Sequence, residues 1–168
     1  MELKALFEKA KAGKRGRFIL DRVLWKGIPF NRPHRFSIQE LTDESVVVLI
    51  PFRKKNLNHL NGLHACALAT GAEYASGLVM LQHFDPSSYR LIMKRIEIDY
   101  HYQGKTNGLV KFELPTSVVE SEIKNALETQ DAALFLCKVP VEDENGNLLC
   151  SAVVEWQIKP WTKVRTKS

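Results

Sequence analysis

The stretch from Leu63 to Leu81 limits what this chain can fold into more than any other. Its small residues (Ala65, Ala67, Ala69, Gly71, Ala72, Ala75 and Gly77) are spread around every side of the helix it would form. A helix without a wet face has to be wrapped by other elements. The length would suffice to cross a bilayer. However, Glu73 sits in its middle, and Thr70, Gly71, Ser76 and Gly77 interrupt the apolar run. A helix buried inside protein is therefore expected, with Asn61 as its N-cap.

The segments around it carry strand periodicity. Phe36 and Ile38 alternate with Ser37 and Gln39, a polar cluster Thr42–Ser45 reads as a turn, and Val46 to Phe52 is rich in β-branched residues. Arg53 to Gly62 is a polar loop. Later, Ile96, Ile98, Tyr100 and Tyr102 alternate with polar residues, and Val110, Phe112 and Leu114 follow after a turn. Ala132–Val141 and Leu148–Ile158 flank Asn145-Gly146, a strong hairpin signal. Ser117 with Glu120 predicts a capping box opening a short helix. Before all this, residues 2–11 and Phe18–Leu24 have helical spacing, and Pro29 and Pro33 then break the chain. The sum is an α+β architecture, one long helix wrapped by a mostly antiparallel sheet. The expected division is an N-terminal helical extension (1–34), a core (35–158) and a basic tail (159–168). The helix has so little polar cover that a second copy or an extra layer is expected to close its open side.

At 168 residues, the chain suits one domain. Cys66, Cys137 and Cys150 form no close pair and read as buried free thiols of a reducing compartment. Met1–Gly16 is Lys-rich without the apolar core of a secretory signal, so a cytoplasmic protein is expected. The net charge of +5 is concentrated at the ends, in residues such as Lys14, Arg15, Arg17, Lys159, Lys163, Arg165 and Lys167. With little aromatic interleaving there, no nucleic-acid partner is expected, and no membrane partner is expected either.

Within the buried stretch, only His64 and Glu73 readily change charge near neutral pH. No cation lies three or four positions from Glu73. A carboxylate so placed is costly unless paired, hydrogen-bonded or open to a cleft, and desolvation raises its pKa toward the range useful for a base or nucleophile. The structural alternative is an ion pair with a strand residue, Arg90 or Arg95. His64 falls at the start of the helix, where unpaired backbone N–H groups favour an anion or a developing oxyanion. Asn58 lies in the loop just before it.

Together, Asn58, His64 and Glu73, separated by six and nine positions at the start of an Ala/Gly-rich helix, resemble the hotdog-fold thioesterases of the phenylacetate-pathway and 4-hydroxybenzoyl-CoA type. The chain also resembles uncharacterised bacterial hotdog families with extra N-terminal helices. The resemblance implies a hotdog fold over roughly residues 35–158 and hydrolysis of small acyl-CoA or acyl-carrier thioesters, with CoA as part of the substrate and no cofactor. It implies that the Ala65 amide, helped by His64, polarises the thioester carbonyl, that Glu73 attacks or activates water, and that Asn58 orients it. It implies sites formed between subunits of a homodimer or homotetramer. Arg53, Lys54, Lys55, Arg90, Lys94 and Arg95 are the candidate cations for CoA phosphates. The chain departs from the family at Ala65-Cys66, where Gly-Gly is usual; the amide survives, but Cβ atoms enter the space an acyl group would use.

Two rivals use the same carboxylate. His59 precedes Glu73 by 14 positions, as in hotdog hydroxyacyl dehydratases, but the Pro-Gly elements of that motif are missing. Alternatively, an apolar channel beside the helix holds an acyl or aromatic ligand without cleaving it, and Glu73 is structural. No second Cys/His cluster completes a metal site, so none is expected.

Overall fold

The structure is a computed structural model that describes residues 3–164. Glu2, Arg165 and Lys167 lie outside the described residues. Two helices open the chain, α1 (Leu3–Ala12) and α2 (Lys14–Gly27), followed by a 3₁₀ turn (Pro29–Asn31). Strands β1 (Ser37–Leu41) and β2 (Ser45–Ile50) form a hairpin. The long helix α3 (Ala65–His83) follows, then β3 (Tyr89–Tyr100), β4 (Gly108–Glu113), a helical segment over 116–129, and the hairpin β5 (Ala133–Asp143) and β6 (Leu148–Pro160). The six strands make one antiparallel sheet in the order β1-β2-β4-β5-β6-β3.

This is the wrapped-helix architecture expected from the sequence. Ala67, Leu68, Ala72, Ala75, Leu78, Val79 and Met80 of α3 are buried against the sheet. Burying a side chain such as Leu78 or Val79 contributes about 1.5–3 kcal/mol. The small residues permit close approach: a methyl group on Gly71 would drive into Ile50 of β2, and one on Gly77 would come within 3.1–3.2 Å of the Trp156 ring. One stripe of α3 stays open, because Cys66, Ala69, Thr70 and Glu73 are exposed or only partly buried. Their spacing of three and four places them on one side of the helix. The open side foreseen from the composition is thus narrow, running from the helix start to Glu73.

Several local expectations are corrected. Helix α3 starts at Ala65 with His64, not Asn61, as its N-cap. Asn61 instead takes a left-handed conformation (φ 52°) inside the preceding turn, which Asn tolerates. The Ser117/Glu120 capping box does not form. The 116–129 segment begins after Pro115 without a side-chain cap, passes through a π stretch (Val119–Lys124), and has its Thr116 N–H satisfied by Glu44 at 2.7 Å. Cys66 is exposed; only Cys137 and Cys150 are buried, and burial pushes both thiols up to about 12. Strand β3 starts seven residues before the alternating stretch Ile96–Tyr102. No helix of the described residues is long and apolar enough to cross a membrane.

Candidate active site

The loop before α3 is built almost entirely from backbone hydrogen bonds that Asn side chains complete. Asn56, fully buried, donates to the carbonyls of His34 (3.0 Å) and Pro51 (2.9 Å), and its own carbonyl accepts from His64 N–H at 2.8 Å. The Asn58 side-chain oxygen accepts from the N–H groups of Leu60 (2.9 Å) and Gly62 (3.1 Å), closing the turn in which Asn61 is left-handed. Lys105 donates to the carbonyls of Leu60 and Asn61 at 2.6 and 3.1 Å.

These bonds fix how α3 begins. His64 Nδ1 accepts from Cys66 N–H at 3.0 Å, so the ring proton sits on the exposed Nε2. The N–H groups of Ala67 and Leu68 are taken by the His64 carbonyl, at 2.9 and 3.1 Å. Among the described residues, that leaves the Ala65 N–H as the unpartnered donor of the first turn. Tyr100 donates from its hydroxyl to the Ala65 carbonyl at 3.1 Å. Asn58, Ala65, Leu68, Tyr100 and Tyr102 line a pocket of about 290 Å3 at this helix mouth.

Glu73 lies elsewhere. It lines a separate cavity of about 240 Å3 with Ile28, Asn31, Tyr74, Leu78, Met93 and Trp156. Its carboxylate has no hydrogen bond or ion pair among the described residues, and desolvation raises its pKa above the usual carboxylate value. The proposed ion pair does not form. Arg90 donates to Gln157 at 2.9 Å, and Arg95 engages Glu97 at 2.8 Å and Glu155 at 3.5 Å. Beside Glu73, the buried Tyr74 hydroxyl also lacks a partner; burial first, then the charges of Asp21 and Glu73, pushes its pKa up. Trp156 is fixed as a wall by its indole N–H, which donates to Ser76 at 3.0 Å.

The structure thus brings Asn58, His64 and Ala65 together at the helix mouth and keeps Glu73 apart. Glu73 lies eight positions after Ala65 along the helix, a rise of about 12 Å. Of the cations, Arg53, Lys54 and Lys55 are exposed around the 3₁₀ turn Lys54–Asn56, whereas Arg90, Lys94 and Arg95 lie on β3, with Lys94 held to Glu155 at 3.4 Å. His59 is exposed in the loop. Among the described residues, no cluster of His, Cys, Asp and Glu could hold a metal ion. A further cavity, about 660 Å3, lies at the far end of α3 near Phe7, Lys11 and His83 and contains none of these candidates. Sequence reasoning missed Asn56, Tyr74, Tyr100 and Trp156. Their roles depend on contacts between distant segments, and only the Asn-rich composition of 56–61 hinted at the loop.

Residues 16–159 match the family described as "Domain of unknown function (DUF4442)", and the chain belongs to that family. No curated protein matches it. Among solved structures, it is similar to a Pseudomonas aeruginosa protein of unknown function whose description adds "probable thioesterase" (22% identity, 85% of this chain and 95% of that one, TM-score 0.77). A protein of unknown function from Chlorobaculum tepidum aligns at 11% identity (85% and 93% covered, TM-score 0.73). A mutant of a Staphylococcus aureus thioesterase enzyme aligns at 15% (79% and 99%, TM-score 0.63). The fold is the hotdog fold, and the chain's structural neighbours are thioesterase-like.

Proposed function

We propose that this protein hydrolyses small acyl thioesters, of CoA or of a carrier protein, at sites shared between two copies. The observation that carries the reading is Glu73, an unpaired carboxylate with a raised pKa in the wall of a mostly apolar cavity within a hotdog fold. A cavity of about 150 Å3 can hold benzene. One of about 240 Å3 therefore suits a ring with a short tail, or a short acyl chain.

In this reading, the Ala65 N–H donates to the thioester oxygen as it becomes an oxyanion. Glu73 takes a proton from water. The water oxygen bonds to the carbonyl carbon, the C–S bond breaks, and the leaving thiolate takes up the proton. The two groups sit about 12 Å apart along one helix, too far to act on one carbonyl. A second copy laid along the open stripe of α3 would bring its own helix mouth to Glu73. Strand β3 supports such pairing: it is a sheet edge of 12 residues bonded only to β6 among the described strands, with Ile92 and Met93 exposed. Long exposed edges of this kind favour pairing with another chain. Arg53, Lys54 and Lys55, beside the mouth and without side-chain partners among the described residues, are the better placed cations for a CoA phosphate.

The test is thiol release from short, medium, long and aromatic acyl-CoAs, comparing wild type with Glu73→Gln. Hydrolysis that disappears in a folded variant supports the reading. Binding of the same thioesters without hydrolysis would replace it with a ligand-binding role, with the Ala65 and Cys66 side chains at the mouth as the cause.

A further inference from the structure

Helix α2 was read from sequence as a short amphipathic element, Phe18–Leu24. In the structure it is longer, and its apolar residues face two ways. Leu20 and Leu24 are buried, but Phe18, Ile19 and Val23 on the outer side are 60%, 44% and 39% exposed, and Phe30 just beyond the helix is 65% exposed. Large side chains at positions 18, 19 and 23 share one helix face, with Arg15, Arg22 and Lys26 on the same side. Basic residues dominate the surroundings. From Lys14 to Arg35 there are seven, Lys14, Arg15, Arg17, Arg22, Lys26, Arg32 and Arg35. The only acid in that span, Asp21, is buried and accepts from the Ile38 N–H at 3.1 Å. This one segment holds more positive charge than the formal excess of +5 of the whole chain.

We propose that the outer face of α2 is a docking surface for an anionic phospholipid membrane. A helix lying in a bilayer interface needs large apolar side chains to enter the acyl boundary and Lys/Arg around them to meet headgroup phosphates. The α2 face supplies both, on a protein with no membrane-crossing helix among its described residues. Charge complementarity selects this occupant over others. A second copy using the same face would set the basic residues against one another. A single-stranded nucleic acid would need free aromatic faces for stacking. Here Arg22 lies over Phe18 (5.3 Å) and Trp25 (5.6 Å), and Arg35 covers Trp25 at 4.7 Å. Ile19 and Val23 offer no ring at all, yet suit insertion among acyl chains. The sequence alone predicts no membrane partner; the exposure of Phe18, Ile19 and Val23 in the folded chain is the observation that points the other way.

The experiment is vesicle co-sedimentation of the full chain with phosphatidylcholine alone and with phosphatidylcholine containing phosphatidylglycerol. It uses wild type, Phe18→Ser with Ile19→Ser, and Arg15→Gln with Lys26→Gln. These residues are exposed, and circular dichroism checks that each variant is folded. Wild type is expected to sediment with the anionic vesicles only, and raised salt to release it. Each double variant should lower the partition coefficient by about tenfold or more. No binding to anionic vesicles, or binding unchanged in the Phe18/Ile19 variant, would overturn the proposal. A lower oligomeric mass of that variant by light scattering, without vesicle binding by wild type, would assign the face to a second copy. Binding of wild type to a single-stranded oligonucleotide but not to vesicles would assign it to nucleic acid. The readout does not depend on thioester hydrolysis, so it stands or fails separately from the activity proposed above.

Discussion

The two ends of the open stripe on α3 are built on opposite lines. At the helix mouth, nearly every polar group is used to hold the backbone: Asn58 closes a turn, His64 caps the helix, Asn56 ties the loop to His34 and Pro51. At Glu73, the carboxylate has no hydrogen bond or ion pair among the described residues, and the neighbouring buried Tyr74 hydroxyl has no partner among them either. Residue type alone would rank His64 and Asn58 with Glu73 as candidates. Remaining bonding capacity ranks them differently. The Ala65 N–H and the Glu73 carboxylate have unused capacity, and a reacting group can use only that.

The largest effect should come from removing the carboxylate. Glu73→Gln is expected to lower kcat by about 10²–10⁴-fold, read by thiol release. It should also stabilise the protein. Glu73 has a folded-state pKa raised by desolvation, so the native state holds its proton more tightly than the unfolded chain. Stability from this group is then present at low pH and is lost as pH rises through the folded value. The melting temperature of the Gln variant should exceed that of wild type at neutral pH and converge with it below the ordinary carboxylate range. A Gln variant that melts lower at neutral pH would mean that Glu73 has a partner after all. In wild type, kcat should rise with pH through the same raised value, since the working form is the carboxylate.

Next is the amide at the other end. Ala65→Pro removes the N–H and puts ring carbons in its place. Position 65 is the first residue of the helix, where proline is tolerated, and His64 before it is already extended (ψ 139°), as a residue preceding proline must be. Activity should fall about 10²–10³-fold, as for loss of one oxyanion donor, with the melting temperature nearly unchanged. If each site joins the mouth of one copy to Glu73 of another, mixing Ala65→Pro with Glu73→Gln after unfolding and refolding together should restore activity. In a statistical mixture of dimers, about a quarter of wild-type activity should return. No recovery, with mixed dimers confirmed by mass, would place both groups in one copy's site and break the shared-site reading.

How much of this was legible beforehand depends on the range of the contacts. The wrapped helix, the hairpin turn at Asn145-Gly146 and the lack of a nearby cation for Glu73 along the helix follow from local pattern, and the structure has all three. The first half of β3 was not legible. Its burial runs without clear alternation from Tyr89 to Arg95, because it is a sheet edge with one side uncovered. The N-cap sits at His64 rather than Asn61 for a related reason. Asn61 has the better intrinsic capping tendency, but Lys105 and Gly104, more than forty residues away, hold the loop so that His64 takes the position. Which of two clustered residues bears a role is decided by tertiary hydrogen bonds that spacing does not encode.

Smaller effects sharpen the account of the mouth. His64→Asn replaces the cap with a residue that caps equally well, so stability should change by less than about 0.5 kcal/mol. It removes the outward Nε2 proton, and kcat should fall by about tenfold or less, well short of the Ala65→Pro effect. A loss as large as that of Ala65→Pro, with stability intact, would make the imidazole the main donor to the oxyanion.

Asn58 gives the finest division between holding and reacting, because two substitutions separate its oxygen from its amide. Asn58→Ala leaves the N–H groups of Leu60 and Gly62 without their acceptor and should cost about 1–2 kcal/mol in chemical denaturation. Asn58→Asp keeps an acceptor oxygen in the same place and adds a negative charge near the helix start, where it is favourable, so stability should stay close to wild type. It also removes the side-chain NH₂, the group that would orient a water or the carboxylate in the family-like role. If the mouth is scaffold, kcat of Asn58→Asp stays within about threefold of wild type, since the same turn still aims the Ala65 N–H. A kcat loss of tenfold or more at unchanged stability would show that the NH₂ acts on the reacting groups themselves. Asn58 would then belong with Glu73 rather than with the loop that holds it.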